Sequence, residues 1–431
     1  MQSVSYAQLG GGMSGGTGGG LGSIPGVAFG GATDPSMIQL KEGFHVIPSI
    51  MVGERYDSNV YYSPKTPGLN REDFVTTTVP QVRGLYVGSL VSANAMASAV
   101  GEYYAKNTAL SYVGTNAGAI VDVSKLVSQL REGTRLTVSD TYSYTPQPPA
   151  FLTGDQSGGG TNPFVRGFQT GRANMQSNMF GVNLSVPLTQ VVSVIGGYTN
   201  GFIKFGSSEL QQPGRLLDTT YVTYTAGLSM KASLRDTVSL NLVNSEFDSG
   251  DLGALTTRGG TVGWSHLFTP NVSILSAAGV QQVESKFSGA PSSTTIAPLG
   301  SLALLWKDDT TTMTVAYNIG VTPSYQFQSQ ALLTHLASVS LTQQTAIPEL
   351  LGIASLNYGR GDEFGSASTT TASTALSYVA WGGTGGLMYR FTPKTFLGLT
   401  YSYSNNDQSF GGQSFRIDRQ VVQMSLSQAF Y

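Results

Sequence analysis

The amino-acid sequence predicts an all-β fold: a transmembrane, antiparallel, up-and-down β-barrel of about 18 strands, with short periplasmic turns and long extracellular loops. Three observations support this prediction. Apolar and small polar residues alternate over long runs, and short polar turns recur at intervals of roughly forty residues. Charged residues make up only 11% of the chain, against about 25% in soluble domains. Together these features describe strands with lipid on one side and water on the other.

The alternation is clearest near the end of the chain, in residues 396–430. Leu397, Leu399 and Tyr401 alternate there with Gly and Thr, and a second alternating run follows a polar stretch at 404–413. Period-two alternation of this length is a strand signal. The same two phases recur in residues 180–186, 222–231 and 312–321.

Short polar turns divide these strands into hairpins. They fall at residues 188–190, 235–236, 269–271, 307–309, 347–349 and 392–394. Longer stretches rich in Gly, Ser, Gln and Asp are predicted as loops at 206–216, 247–255, 287–295, 324–330, 361–371 and 404–413. Residues 124–132 are predicted to form a short amphipathic helical turn at the periplasmic end. Short turns at one end and long loops at the other are typical of an outer-membrane barrel.

Large aromatic residues occupy the apolar phase near the strand ends, as an interfacial girdle requires. Seven are predicted to face lipid: Trp264, Phe268, Trp306, Trp381, Tyr389, Phe391 and Phe430. Two polar residues, Asp140 and His266, fall on the same apolar phase. A polar group facing lipid costs least near the interface, so we expect both to lie near a rim, unless the register slips there.

Composition excludes several classes of protein. The chain has 431 residues, no cysteine and a net charge of −2, so disulfides and thiolate metal sites are excluded and nucleic acid is not an expected partner. The sequence contains no apolar run long enough for a helical membrane span. We divide the chain into a Gly-rich flexible N-terminal segment, residues 1–43, and the barrel, residues 44–431. A soluble sandwich, propeller or β-helix is the rival fold, but it needs a charged outer face that these strands lack.

Signals for catalysis are nearly absent. The histidines are His45, His266 and His335, and they form no metal-binding motif. Residues 12–16 match a G-x-S-x-G pattern, but they lie in a glycine run without the strand and helix that this nucleophile motif requires. We therefore predict that the protein is not an enzyme and that it uses no metal and no cofactor.

Two groups of residues are candidates for selecting a transported solute. The first is four cations on the polar phase, which would point into the lumen: Arg135, Lys231, Arg390 and Arg419. The alternative is that each binds lipid headgroups or caps a turn at the rim. The second group lies in the longest predicted loop, residues 146–172, and would narrow the pore if that loop folds inward: Asp155, Phe164, Arg166, Phe168 and Arg172. The alternative for this loop is a position on the outer surface.

Two short motifs near the start of the barrel carry a resemblance to a known family. They are VGERYDSNVY at 52–61 and DFVTTTVP at 73–80. They resemble the opening "YDSN" hairpin and its return strand in bacterial outer-membrane β-barrels that are associated with exopolysaccharide export. Phe430 also resembles the aromatic C-terminal signal that barrel-assembly machinery reads, although Tyr431 follows it and is an alternative.

The leading functional hypothesis is a porin-like channel in the outer membrane of a Gram-negative bacterium. It would pass polar, uncharged solutes by diffusion, because a lumen of Gly, Ser, Thr and Asn is polar but weakly charged. One alternative is a polysaccharide-export barrel that works with a periplasmic partner. Another is a structural or sheath barrel that encloses a partner protein. The expected partners are outer-membrane lipid and lipopolysaccharide, a polar solute or polysaccharide, and the barrel-assembly machinery.

Overall fold

The described strands form a closed β-barrel and one separate two-stranded sheet. A computed structural model describes residues 23–24, 27–28, 43–65, 68–145, 173–208, 216–287, 292–323, 331–364, 377–410 and 413–430. Within these ranges, two short strands, β1 (Ser23–Ile24) and β2 (Val27–Ala28), pair with each other. All later strands belong to the barrel.

Eighteen strands, β3 to β20, form the barrel, each hydrogen-bonded to its neighbours in chain order. The predicted fold and strand number are therefore confirmed. The strands are β3 Gly43–Asp57, β4 Asp73–Val87, β5 Ser92–Tyr104, β6 Tyr112–Asp122, β7 Arg135–Thr145, β8 Ala173–Pro187, β9 Val192–Ser208, β10 Thr219–Lys231, β11 Asp236–Asp248, β12 Gly253–Thr269, β13 Val272–Phe287, β14 Ser293–Lys307, β15 Thr311–Pro323, β16 Ala331–Gln344, β17 Leu350–Phe364, β18 Ser377–Thr392, β19 Thr395–Phe410 and β20 Gln413–Ala429.

The barrel closes by pairing its last strand with its first. β20 runs antiparallel to β3, in a register that extends from Val421 opposite Asp57 to Ala429 opposite Ser49. Closure joins the first and last strands, as a sheet surrounded by lipid requires. We call the end with the short turns the turn end and the opposite end the loop end. In outer-membrane barrels these ends face the periplasm and the outside, respectively.

The two faces of each strand differ as the alternation predicts. On β3, Phe44, Val46, Ile50 and Val52 are exposed on the outer face, whereas Met51 is buried on the lumen side. Exposed apolar side chains continue around the barrel, which a soluble protein would bury. Among the described residues, no helix is both long and apolar enough to cross a membrane.

The seven aromatic residues assigned to the lipid face are all exposed, with fractional exposures between 36% for Tyr389 and 57% for Phe391. Six lie near the turn end, and Trp381 lies nearer the loop end, with its ring centroid 5.0 Å from that of Tyr403. The rings of Tyr389 and Phe391 also pack edge to face, 4.9 Å apart. This placement forms an aromatic band on the outer surface at the turn end.

One predicted loop is wrong. Residues 404–410 and Gln413 lie in strands and not in the predicted loop 404–413, because β19 continues to Phe410 and β20 begins at Gln413. The pattern misleads here because strands that rise above the lipid no longer need an apolar outer face, so Asn and Asp are tolerated. At the turn end, the expected helical turn is present as α1, Ser124–Val127.

Candidate channel lumen

The lumen wall is formed by the strand phase opposite the exposed apolar residues. On strands β8 to β17, the described residues of this phase carry charge only at strand ends, at Lys231, Lys307 and Glu363. The middle of this wall is mainly small or polar. For example, Asn183 lies opposite Gly197, which lies opposite Thr225. A Cβ atom at position 197 would clash with Oγ1 of Thr225, so glycine provides the space for that hydroxyl group.

The loop end of the lumen differs from the expected polar wall. Lumen-phase residues on neighbouring strands form a buried apolar cluster that includes Ile203, Tyr221, Phe247, Leu255 and Val283. Tyr221 lies opposite Phe247, and Phe247 opposite Leu255. Their exposures are between 2% and 4%, so these side chains are covered by protein. The prediction of a lumen dominated by Gly, Ser, Thr and Asn therefore holds for mid-strand positions and fails here.

Three of the four predicted lumen cations lie at the turn end, on strands that are not neighbours. Arg135 is the first residue of β7, Lys231 is the last of β10, and Arg390 is two residues before the end of β18. Arg390 is on the same phase as the buried Met388, between the outward rings of Tyr389 and Phe391. Each of these cations is therefore on the lumen phase. Their influence on solute selection remains a prediction.

The fourth predicted cation, Arg419, is on the lumen phase of β20 at the loop end. Its Nε and Nη2 atoms donate to Oδ1 and Oδ2 of Asp57 at 3.0 and 2.6 Å. Asp57 is 1% exposed. The guanidinium also lies 4.3 Å from the ring centroid of Tyr62. Arg419 thus has a buried carboxylate partner.

A second ion pair lies beside the first. Nη2 of Arg55 donates to Oε2 of Glu102 at 2.8 Å, and the hydroxyl group of Tyr104 donates to the same oxygen at 2.8 Å. Nε of Arg55 is also 3.8 Å from Oδ2 of Asp57. Buried charges persist only when they are paired and hydrogen-bonded. The two arginines and two acids therefore form one compensated network in the wall of β3, β5 and β20.

The motifs that carry the family resemblance hold the loop end together. Asp57 and Asn59 belong to YDSN, and the side-chain amide of Asn59 donates to the backbone oxygen of Asp418 at 3.0 Å. Asp73 begins the second motif. It accepts hydrogen bonds from the backbone N–H groups of Lys106 and Asn107 at 2.9 and 2.7 Å. The motifs thus have a structural role at the barrel seam and in the adjoining loops.

The loop after β3 packs against the 3-10 turn Thr108–Leu110. Val60 and Leu110 are 1% and 2% exposed and belong to one apolar cluster with Val75 and Tyr104. In the same loop, Tyr62 has a φ of 52°, the left-handed conformation that non-glycine residues rarely adopt. Burial raises the pKa of the Tyr62 hydroxyl group above its ordinary value.

The two polar residues on the apolar phase have different environments. His266 lies in the aromatic band, with Nδ1 2.7 Å from Oδ1 of Asp236, the first residue of β11. The expected rim position is therefore correct for His266. The expectation is wrong for Asp140, the sixth of eleven residues in β7, whose pairing with β8 shows no register shift. Asp140 faces outward at mid-strand, where the side-chain amide of Asn178 donates to it at 2.8 Å.

The candidate constriction residues Asp155, Phe164, Arg166, Phe168 and Arg172 lie outside the described residues. Within the described ranges, no group of three or more His, Asp or Glu side chains is arranged to hold a metal ion.

Sequence reasoning missed several charged residues of the lumen wall. The missed residues include Arg55, Asp57, Arg83, Glu102 and Lys307. The alternation contains the signal for two of them, because Lys307 follows the outward Trp306 and Arg83 follows the outward Val82. The partnership of Arg55 with Glu102 has no local signal, because 47 residues separate the two in sequence.

A closed barrel of 18 strands with an apolar exterior and a largely polar mid-strand lumen wall defines a transmembrane β-barrel of the outer-membrane type. No family model and no curated protein matches this chain. Several solved structures of outer-membrane proteins are similar to it over most of the chain.

OccK2 (OpdF) of Pseudomonas aeruginosa is 13% identical, with a TM-score of 0.46, over 90% of this chain and 100% of that chain. OpdK of Pseudomonas aeruginosa is 13% identical, with a TM-score of 0.47, over 90% and 99%. OccAB4 of Acinetobacter baumannii is 11% identical, with a TM-score of 0.44, over 91% and 99%. The fold and the solute are therefore argued from this chain's own residues.

Proposed function

We propose that this protein is an outer-membrane channel through which small polar solutes diffuse. The observation that supports this function best is the wall of β8 to β17, where the described lumen-phase residues carry no charge between the strand ends. A wall of hydroxyl groups, amides and glycines can exchange hydrogen bonds with a hydrated solute without binding it tightly. Uncharged polar solutes such as sugars suit this wall.

The size of the barrel is compatible with diffusion. Eighteen strands spaced about 4.8 Å apart give a backbone diameter of at least ~27 Å, and strand tilt widens it further. Barrels of 16 to 18 strands leave an aqueous channel after their side chains are accommodated. The candidate constriction loop, residues 146–172, would then set the narrowest point, and this role remains a proposal.

The membrane contacts follow from the outer surface. The aromatic band and the exposed apolar side chains suit outer-membrane lipid, with lipopolysaccharide at the loop end. Insertion by barrel-assembly machinery is part of the proposal, with Phe430 or Tyr431 as the terminal signal. No described residue of the lumen wall calls for catalysis, so we propose a transport role without enzymatic activity.

Conductance of the detergent-purified protein in a planar bilayer tests the proposal. A diffusion channel gives stable single-channel steps, and liposomes that contain it swell in solutions of small sugars but not of large ones. Heat-modifiable migration on a gel provides the folding control. Folded protein that neither conducts nor supports swelling would overturn the channel function.

The two alternatives predict different results. If the protein is a polysaccharide-export barrel, deletion of its gene should abolish secretion of a polymer. If it is a porin-like channel, the deletion should slow solute uptake. A sheath barrel would co-purify with a second polypeptide. The YDSN motif does not favour export by itself, because Asp57 and Asn59 are occupied by contacts at the barrel seam.

A further inference from the structure

The turn end of the lumen carries more cations than the sequence analysis assigned. Besides Arg135, Lys231 and Arg390, the lumen phase holds Arg83 on β4 and Lys307 as the last residue of β14. These five cations, which we call the basic ring, lie on β4, β7, β10, β14 and β18. In the closed order of strands, successive members are three or four strands apart all the way around the barrel. Cations therefore surround the turn-end mouth instead of forming one patch.

On the described strands, the lumen phase of the turn end holds fewer acidic residues than cations. Asp122, the last residue of β6, is the acidic residue of the lumen phase at this end. Within the described part of the chain, Lys231, Lys307 and Arg390 have no carboxylate within 4.0 Å. Lys231 and Lys307 are also exposed. Their charges can act on ions in the lumen.

The loop end has the opposite balance. There the lumen phase holds the cations Arg55 and Arg419, and each has a carboxylate partner, Glu102 and Asp57. Asp73 and Glu363 add two further acidic residues on the described strands. The cations of the described wall that have no carboxylate partner, Lys231, Lys307 and Arg390, thus lie at the turn end.

From this distribution we propose that the basic ring makes the turn-end mouth selective for small anions. The inference rests on the proposed channel function and specifies which charged solutes the channel prefers. Charges of one sign around a pore mouth raise the local concentration of counterions. Rings of Lys and Arg are the usual means of favouring anions in pores. The uncharged mid-strand wall beyond the ring adds little selection, so neutral solutes still pass.

Reversal potentials across a bilayer with a KCl gradient test the ring. At low salt we expect chloride to be about threefold or more as permeant as potassium. This preference falls as salt is raised, because the Debye length shrinks from about 10 Å at 0.1 M to about 3 Å at 1 M. The variant K231Q/K307Q/R390Q removes three of the five ring charges and brings the permeability ratio close to one.

Two matched variants control for charge number and for folding. K204Q/R258Q/K286Q removes three cations from the exposed outer phase and leaves the ratio unchanged. K231R/K307R/R390K keeps the ring charges and retains the anion preference. A gel-shift assay shows whether each variant is folded.

The outcomes separate the ring from the channel itself. Wild-type protein that conducts without anion preference, or a conducting triple Gln variant with an unchanged ratio, overturns the basic ring and leaves the channel function intact. Folded wild-type protein that does not conduct overturns the channel function and the ring together.

Discussion

Asp57 and Arg419 are 362 residues apart in the sequence and form a bidentate ion pair, with two hydrogen bonds, across the closing strands of the barrel. Asp57 ends β3, and Arg419 lies two residues before the point where β20 begins to pair with β3. The carboxylate also accepts the backbone N–H of Asn59 at 3.0 Å. The pair therefore fastens the seam at the loop end and fixes the start of the loop that follows β3.

Asp57→Ala should destabilise the barrel, because it leaves the Arg419 guanidinium without its buried partner. Removal of one partner from a buried ion pair costs about 3–5 kcal/mol. The free energy of unfolding in lipid vesicles, from urea titration followed by tryptophan fluorescence, measures this cost. The double variant D57A/R419L should recover a substantial part of it, because no unpaired charge remains.

The exposed pair Arg360–Asp362 provides the control, since its side chains are 55% and 46% exposed. Asp362→Ala should change the unfolding free energy by no more than about 1 kcal/mol. Equal changes in the unfolding free energy for D57A and D362A would show that the seam pair does not stabilise the barrel.

The left-handed backbone of Tyr62 predicts a difference between two substitutions at one site. Both Tyr62→Gly and Tyr62→Ala remove the ring that lies against Arg419, but only glycine adopts a φ of 52° at low cost. A non-glycine residue there costs roughly 1–2 kcal/mol, so the Gly variant should be the more stable by about that amount. Urea unfolding of the two variants measures the difference, and a less stable Gly variant would contradict the prediction.

The outward carboxylate of Asp140 should lower the free energy of unfolding of the barrel. It lies opposite Ala119 on one side and Phe180 on the other, in the middle of β7. A carboxylate facing lipid is unfavourable in a depth-dependent way, so D140L/N178L should raise the free energy of unfolding by about 1 kcal/mol. Glu246→Leu, on the outer phase two residues from the loop end of β11, should give a smaller gain. Destabilisation by D140L/N178L would show that protein, not lipid, covers this face.

The turn between β14 and β15 should respond to acid through Asp308. The backbone N–H groups of Thr310 and Thr311 donate to Oδ1 of Asp308 at 2.9 and 2.7 Å, and these bonds lower the pKa of Asp308 from its ordinary 3.8. A lowered pKa means that the ionised carboxylate stabilises the turn above pH 3.8. This contribution is lost as the pH falls through the pKa that Asp308 has in the folded protein.

Amide chemical shifts of Thr310 and Thr311, followed by NMR during acidification, measure this effect. In the wild-type protein they should titrate with a midpoint below 3.8, and in Asp308→Asn they should not respond in that range. A midpoint above 3.8 in the wild-type protein would contradict the assigned hydrogen bonds.

Much of the fold could be predicted because its signals are local. Trp264 and Trp306 could be placed on the outer face from their immediate neighbours, since side chains alternate between the two faces of a strand with a period of two. The turn at 392–394 could be recognised from its own residues. The same locality caused the error at 404–413, where the strand leaves the lipid and the alternation of polarity ends.

The candidate site was less predictable for a physical reason. Arg419 could be assigned to the lumen phase from its strand, but nothing near it in the sequence indicates that Asp57 neutralises it. Asp140 looked like a rim residue because the cost of a charge in lipid made that position the reasonable expectation.

The sequence by itself determined the class of structure, the number of strands, and which face of each strand meets lipid, because these follow from alternation and turns within single hairpins. Only the tertiary structure decided which charges compensate one another and that Arg83, Arg135, Lys231, Lys307 and Arg390 encircle one mouth. The physical reason is closure. The position of a residue around the barrel and its partner across the seam depend on the register of all eighteen strands together, and no local segment encodes that register.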